Sequence, residues 1–335
     1  MNIADPLALP IRGLRAGHAQ DPALASGATV LLFDAPVVAA AHVSGGAPGG
    51  FDAALLEPGR SIEQVDAIVL SGGSAFGLEA CAGVQAALRE AGRGLPVGGV
   101  RVPIVVGAIL FDLGNGGDKA WGRFSPYREL GYQAAQAAGS RLAEGSVGAG
   151  TGATTVTLKG GLGVAHATTA AGHTALAIVA VNALGSATLG QSPHFWAAPL
   201  EQGGEFGGLG WPAAMPADAL AFRVKGGTTA TTIGAVITDA ALTRGQAQRL
   251  AIMATAGFAR AIRPVAAPMD GDTLFAASTG AQPLREPVQE LTELGAVAAD
   301  AVARAVARGV HRATALPFAG ARPAWRDLYG QLTPS

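Results

Sequence analysis

The sequence predicts an α/β or α+β fold with sheet inside and helices outside. Apolar runs of strand length, such as Ala67–Leu70, Ala175–Val181 and Thr232–Ile237, alternate with amphipathic stretches of helix length. Their order is strands, helix, strand, helix, several strands, helix, short strand, helix, the mixed order that layered folds use. No shift of composition marks a linker within the 335 residues, so a single domain, 1–335, is expected.

Taken in order, Thr29–Phe33 and Val37–Val43 flank Asp34-Ala35-Pro36, a hairpin signal. Gly45–Gly50 is a loop. Ala67–Leu70 is a short buried strand, and Ser71-Gly72-Gly73-Ser74 leads from it into a helix over Phe76–Ala91. Gly92 stops that helix, because glycine takes the left-handed conformation that ends helices. Val102–Phe111 is a buried strand, and Tyr127–Glu144 reads as a helix with Tyr132, Ala135 and Ala138 on its apolar side. Gly145–Gly152 is a loop of small residues. Thr154–Leu158 and Ala175–Val181 read as strands, with Ala187–Leu189 as a further short one, and residues 190–219 as a long Gly- and Pro-rich surface excursion. Thr232–Ile237 is a strand. A helix then starts near Thr243, with Leu250, Met253, Ala254, Gly257, Phe258 and Ala261 spaced for one face, and it ends at Pro264. Leu274–Ala277 is a short strand and Val288–Arg308 a long Ala-rich helix.

Composition narrows the function classes. The formal net charge is −1 with no block of either sign, so neither nucleic acid nor an anionic membrane is expected as a partner. Charged residues are 14% of the chain, against about 25% in ordinary domains, and that points to surface buried in a homo-oligomer. No apolar run approaches the roughly 20 residues of a membrane-spanning helix. Met1–Arg15 has no continuous apolar signal-peptide core. Cys81 is the only cysteine, so no intrachain disulfide forms, and the cytoplasm is the expected location. The 49 glycines fall as doublets between apolar runs, which implies tight turns and close backbone approaches.

Five places invite chemistry. Ser74 follows a strand and precedes a helix, but Phe76 breaks the G-x-S-x-G spacing, so a cap or turn is the better account. Gly148-Ala149-Gly150-Thr151-Gly152-Ala153 mimics a dinucleotide fingerprint, yet a helix precedes it and a β-prone run follows, the reverse of the required context. No cofactor is therefore expected, although backbone amides of such a loop could donate to a substrate. The six histidines are scattered, so no metal site is expected. Asp270-Gly271-Asp272 is either a solvated turn or, beside a nucleophile, an orienting acid pair. Asn182, at the end of Ala175–Val181, is either a turn former or an oxyanion donor.

The fifth place is Thr231. In Ala230-Thr231-Thr232-Ile233-Gly234 it stands where a small-residue loop, Lys225-Gly226-Gly227-Thr228-Thr229, enters an apolar strand. It is either a β-branched residue starting that strand or a hydroxyl placed to attack the Ala230 carbonyl. In the second case the product is an N-terminal threonine whose own amine, of pKa about 7.7–8.0 when unperturbed, serves as base.

With these segments in order, the chain resembles the L-aminopeptidase/D-esterase peptidases, which include β-peptidyl aminopeptidases and nylon-oligomer hydrolases. The resemblance runs through Gly13–Ala19, Gly45–Gly49, Leu70–Leu78, Val147–Ala153, Lys159–Gly163, Val181–Ala183, Thr231–Gly234 and Asp270–Thr273. It implies a four-layer α-β-β-α sandwich similar to N-terminal-nucleophile hydrolases, and a homo-oligomer, commonly a tetramer or larger. It implies self-cleavage between Ala230 and Thr231 into a large chain, 1–230, and a small chain, 231–335.

By position, Thr231 matches the nucleophile, Asn182 the oxyanion asparagine, and Asp270 and Asp272 the pair near the nucleophile amine. The family's site Tyr falls at Val156, leaving Lys159 as the nearest candidate, and Ala230 stands where threonine members often have Asn. The implied substrates are short peptides, amino amides and esters with a free amino end. Acyl transfer of the ornithine acetyltransferase kind and an unprocessed binding or scaffold homologue are the rival readings.

Overall fold

The computed structural model describes residues 6–226 and 230–332. Gly227, Thr228 and Thr229, part of the small-residue run before the expected cleavage point, lie outside the described residues.

Among the described residues, eight principal strands and five helices build the fold. The strands are β1 (Leu14–Asp21), β2 (Ser26–Val43), β3 (Gln64–Ser71), β4 (Val105–Ile109), β5 (Gly161–Thr168), β6 (Thr174–Asn182), β7 (Thr231–Ala241) and β8 (Thr273–Pro283). The helices are α1 (Glu79–Glu90), α2 (Tyr127–Gln136), α3 (Arg244–Ala261), α4 (Pro287–Arg312) and the short α5 (Trp325–Tyr329). The strands run in the order β5-β6-β7-β8-β2-β3-β4, with Gly50–Phe51 added beside β4 and β1 paired to β2. Two neighbouring pairs are parallel, β3 with β4 and β7 with β8. Each is joined through a helix, α1 and α3 respectively, as parallel neighbours require.

Side-chain alternation turns this one hydrogen-bonded sheet into two packed layers. Ile68 and Leu70 of β3, Leu176 and Ile178 of β6, and Ile233, Ala235 and Ile237 of β7 share the middle core. The alternate residues face helices. Ala67 and Val69 meet α1 and α2 through Val84, Leu88 and Leu130. Val179, Val181 and Val236 meet α3 and α4 through Leu250, Phe258, Val302 and Val306. The period of two along each strand thus gives the four layers, helix, sheet, sheet, helix.

The long strand β2 joins the two sheets. Leu31, Phe33, Val37 and Ala39 all face the middle core. The even residues switch partners, from the α1/α2 side at Val30 and Leu32 to the α3/α4 side at Ala40. Asp34-Ala35-Pro36 is therefore an exposed bend in one strand, with a register shift between Leu32 and Val37, and not the hairpin turn expected. The hairpin partner of β2 is β1, joined through the turn before Ser26.

Other expectations also change. The helix over Phe76–Ala91 begins as a 3-10 turn, Ser74–Leu78, and ends with Gly92 at a φ of 68°. The helix expected to reach Glu144 stops at Gln136, because Gly139 exchanges both backbone hydrogen bonds with Ala16 of β1. Thr154–Leu158 is a turn and not a strand, since the Thr155 hydroxyl donates to the Leu158 carbonyl and accepts from its amide. Ala187–Leu189 makes only isolated bridges, with the Thr188 amide and hydroxyl taken by Ser186 and Gly190.

The excursion over 190–219 is partly core. Phe195 and Phe206 are buried, and Phe195 stacks on Trp325 with centroids 5.6 Å apart. Glu205 in the same segment is held by Arg304 at 2.5 Å and Arg308 at 2.8 Å, both on α4. Helix α3 starts as expected. Thr243 caps it, accepting from Gln246 N while Gln246 Oε1 accepts from Thr243 N at 2.8 Å.

Strand β5 was illegible because its glycines hide it. A methyl on Gly163 would overlap the Ala305 carbonyl of α4, so helix and strand backbones touch there. Gly163→Ala is expected to lose about 1–3 kcal/mol in urea unfolding through overpacking. The exposed helical Gly245, with open space where its methyl would go, is the control. Gly245→Ala is expected to gain roughly 0.5–1 kcal/mol.

Candidate active site

Three strand ends meet at one corner of the middle layers. Thr231 opens β7, and its direct cross-strand partner is Asn182, the last residue of β6. Thr273 opens β8 beside Ile233, which sets Asp270-Gly271-Asp272 alongside Ala230–Thr232. Ala230 itself bridges Asp270 in parallel. Three separate sequence signals are thus brought together by the register of adjacent strands.

The Thr231 hydroxyl is buried and turns back on its own chain. Oγ1 donates to the Ala230 carbonyl oxygen at 2.5 Å. That oxygen also accepts the Gly271 amide at 2.9 Å. Position 271 must be glycine here, since a Cβ would stand 2.7 Å from Thr231 Oγ1. The carbonyl before Thr231 is therefore held by two donors, one of them the hydroxyl on the following residue.

Asp272 accepts two backbone amides, Thr232 N at 2.6 Å and Ala266 N at 3.0 Å. Asp270 Oδ1 is buried without a hydrogen-bond partner. Burial pushes the Asp270 carboxyl up to about 8, helped by the Asp272 charge beside it. Burial likewise raises Asp272 against the two amides that favour its anion. Such a pair holds a proton at neutral pH.

Asn182 links this corner to a cavity of about 500 Å³. Its Oδ1 accepts Thr154 N at 3.0 Å and Lys225 Nζ at 2.8 Å, and its Nδ2 donates to Phe111 O at 2.8 Å. Two donors on one atom and an acceptor on the other fix the amide orientation. Phe111, Thr154 and Lys225 all line the cavity, together with Asp112, Asn115 and Arg322.

Lys159 is fully buried, donating to the carbonyls of Gly150 at 2.9 Å and Gly160 at 2.8 Å. Burial lowers its ammonium to about 7, against the opposing pull of Asp112. Burial also lowers Lys225 to about 7, where Asp270 supports the charge and Arg322 and Lys159 oppose it. Asp112 is buried and raised, with its oxygens taken by Ser26 Oγ at 2.7 Å and Gly73 N at 2.8 Å.

The model of peptidase family S58 matches residues 9–322. The chain belongs to peptidase family S58. It is 41% identical to an uncharacterized aminopeptidase of Mycobacterium tuberculosis, over 95% of this chain and 96% of that one. It is 40% identical to one of Mycobacterium leprae, over 88% and 87%. Among solved structures, a Burkholderia sp. beta-aminopeptidase superposes with a TM-score of 0.70 at 22% identity, over 97% of this chain and 94% of that one. The L-aminopeptidase D-Ala-esterase/amidase of Ochrobactrum anthropi, described as a variant of the Ntn hydrolase fold, superposes with a TM-score of 0.66 at 19% identity, over 98% and 97%. These two likenesses concern the fold, which is the four-layer α/β arrangement expected.

Within this S58 chain the other sequence candidates stand apart. Ser74 has a φ of 52°, and its amide donates to Leu110 O at 2.9 Å, but its hydroxyl has no histidine partner among the described residues. The Gly148–Thr151 amides are already taken: Gly148 by Gln20, Ala149 by the Thr29 hydroxyl, and Gly150 and Thr151 by carbonyls of the loop itself. They are not free donors for a ligand. Two of the histidines serve the interior, His18 with Thr29 and the Ala143 carbonyl, His173 with Glu290 at 2.9 Å. Asp112, Lys225 and Arg322 escaped notice in the sequence. In a chain with so few charges, Asp112 directly after the apolar run Val102–Phe111 was the available signal.

The acid pair makes stability depend on pH in a set direction. A carboxyl raised on folding stabilises fully below its unfolded value, near 3.9. That contribution is lost as pH rises through the folded value of about 8. In a common Thr231→Ala background, Asp270→Asn is therefore expected to be least favourable at pH 5 and to gain relative stability by pH 8. Urea midpoints at the two pH values measure it, and a constant difference would contradict the raised carboxyl.

Proposed function

We propose that the chain is a self-processing aminopeptidase whose nucleophile is Thr231, exposed by cleavage of the Ala230–Thr231 bond. The observation that carries this reading is the 2.5 Å contact of the Thr231 hydroxyl with the Ala230 carbonyl oxygen, whose other donor is the Gly271 amide. The aminopeptidase descriptions of its relatives support the reaction class.

In the uncut chain Thr231 Oγ attacks the Ala230 carbonyl carbon. The Gly271 amide stabilises the oxyanion that forms on the carbonyl oxygen. The C–N bond breaks, and the Thr231 nitrogen leaves as an amine, taking up a proton. The protonated carboxyl of the Asp270–Asp272 pair, bridged to this segment through Ala230, supplies that proton, and the carboxylate so formed takes up the proton of the Thr231 hydroxyl. Water then hydrolyses the Ala230 ester, restoring the Thr231 hydroxyl and leaving Ala230 with a carboxylate.

In the mature enzyme the free Thr231 amine takes the hydroxyl proton as Thr231 attacks the substrate carbonyl. The leaving amine receives that proton, and water releases the acyl group. Asn182 Nδ2 carries a second hydrogen besides the one given to Phe111 O, and that hydrogen serves the substrate oxyanion. Asp270 and Asp272 hold the amine and tune its proton affinity. Lys159 positions the Gly150 loop behind the cavity. The substrate is a short peptide, amino amide or ester with a free amino end.

Thr231→Ala is expected to give one uncut chain of 33.2 kDa with no amidase activity, whereas the wild type gives a smaller band beginning Thr-Thr-Ile-Gly. Intact mass and N-terminal sequencing read both, and a cut Thr231→Ala protein would refute the scheme. Asn182→Ala is expected to slow hydrolysis by about 10²–10³ in kcat, the cost of losing one oxyanion donor, as measured on protein shown by mass to be cut.

A further inference from the structure

We infer that Arg322 receives the free carboxylate of the substrate's leaving residue, so that the preferred substrates are short peptides charged at both ends rather than amino amides. This rests on the aminopeptidase reading above and names its substrate class.

The argument starts from charge balance in the cavity. Arg322 is exposed, lines the cavity, and has no ion pair or hydrogen bond of its side chain among the described residues. The carboxyl on the same wall, Asp112, makes no ion pair with it: Asp112 is buried and held by Ser26 Oγ and Gly73 N, whereas Arg322 is exposed. The other lining cation, Lys225, feels Arg322 as a repulsion. Arg322 thus stands at the cavity as an exposed cation without an ion pair among the described residues. In an aminopeptidase substrate the one anionic group is the terminal carboxylate, and a guanidinium binds that group in a planar, two-pronged manner.

The backbone under Arg322 is fixed. The neighbouring Pro323 carbonyl accepts the amide of buried Lys159 at 2.8 Å. Ala324 N is capped by Asp327 at 3.0 Å, and Trp325 is fully buried against Phe195. The segment is therefore tied to the floor that also carries the Gly150 loop. Asp270 and Asp272 adjoin Thr231, whose strand partner Asn182 is hydrogen-bonded to the lining residues Thr154 and Lys225. A peptide whose scissile carbonyl sits at Thr231 and Asn182 would place its leaving residue in this adjoining cavity, which Arg322 lines. A cavity of about 500 Å³ lies within the usual range for small ligands.

The test compares one dipeptide as its free acid and as its C-terminal amide, on the purified wild type, Arg322→Gln and Arg322→Lys. For the wild type, KM is expected to be lower for the acid. Arg322→Gln should raise KM for the acid about tenfold, the scale of one lost charged hydrogen bond, with kcat and the amide's KM unchanged. Arg322→Lys should recover part of the loss, and added salt should raise KM for the acid alone. Equal KM values for acid and amide in the wild type, or parallel changes for both in Arg322→Gln, overturn the inference. A fall of both KM values in Arg322→Gln also overturns it, and assigns Arg322 to the new Ala230 carboxylate of the large chain instead. If neither peptide is hydrolysed, the aminopeptidase reading has failed, and calorimetric binding of the same two peptides to the same proteins still decides the role of Arg322.

Discussion

A hydroxyl turned onto the carbonyl of its own preceding residue is the contact on which the rest of this structure depends. Thr231 can hold that position because β7 is interior, with β6 on one side and β8 on the other. A slip of one residue would move Ile233, Ala235 and Ile237 out of the middle core and reverse every side chain of the strand. The apolar pattern that fixes the fold therefore also fixes where the hydroxyl stands. Gly271 completes the arrangement by bringing a backbone amide to the same oxygen, in space that no other residue could share.

The parts of the fold that were legible in the sequence are those governed by local patterning. The stripe Leu250, Ala254, Phe258 and the Thr243 cap announce α3, and the run Ala175–Val181 announces β6. What escaped notice depends on tertiary contact. Gly161 and Gly163 look like loop residues, yet β5 needs them because α4 lies directly on its backbone. Asp34-Ala35-Pro36 carries a turn signal, yet β2 passes through it as a bend because each half of the strand has its own sheet to join. The candidate site divides in the same way. Thr231, Asn182, Asp270 and Asp272 each sit at the edge of an apolar run, where a polar residue is conspicuous. Lys225 and Arg322 sit in Gly- and Pro-rich connections, where a cation looks like ordinary surface until the chain folds them onto a cavity.

A chain so poor in charge concentrates several of its ionisable groups at this corner, and burial leads the shift of each. Desolvation pushes the carboxyls of Asp112, Asp270 and Asp272 up and the ammonium groups of Lys159 and Lys225 down. Acids and bases that differ by many units in water are thereby brought close together. Burial raises Asp270 and lowers Lys225 toward neutral pH, the range in which general acid–base chemistry operates. The same burial would be a liability in a merely structural cluster, where unpaired ionisable groups are costly.

Cutting the chain at this point need not loosen it. The ladder between β6 and β7 runs from Asn182–Thr231 to Ala175–Thr238 and does not involve the peptide bond before Thr231. Farther out, Glu205 on the upstream side is gripped by Arg304 and Arg308 of α4 on the downstream side, and Arg308 also reaches Glu144. Because these groups are buried, removing one partner would leave a charge stranded, a larger loss than any surface pair could cause. The two chains produced by the proposed cut are thus held by sheet, core and a four-residue charge network. Upstream of the proposed cut, Lys225 Nζ is tied to Asn182 O and Oδ1, and Ala230 is bridged to Asp270. Release of that one lysine would leave Asn182 Oδ1 with the Thr154 amide, without breaking the ladder between β6 and β7 that positions Thr231.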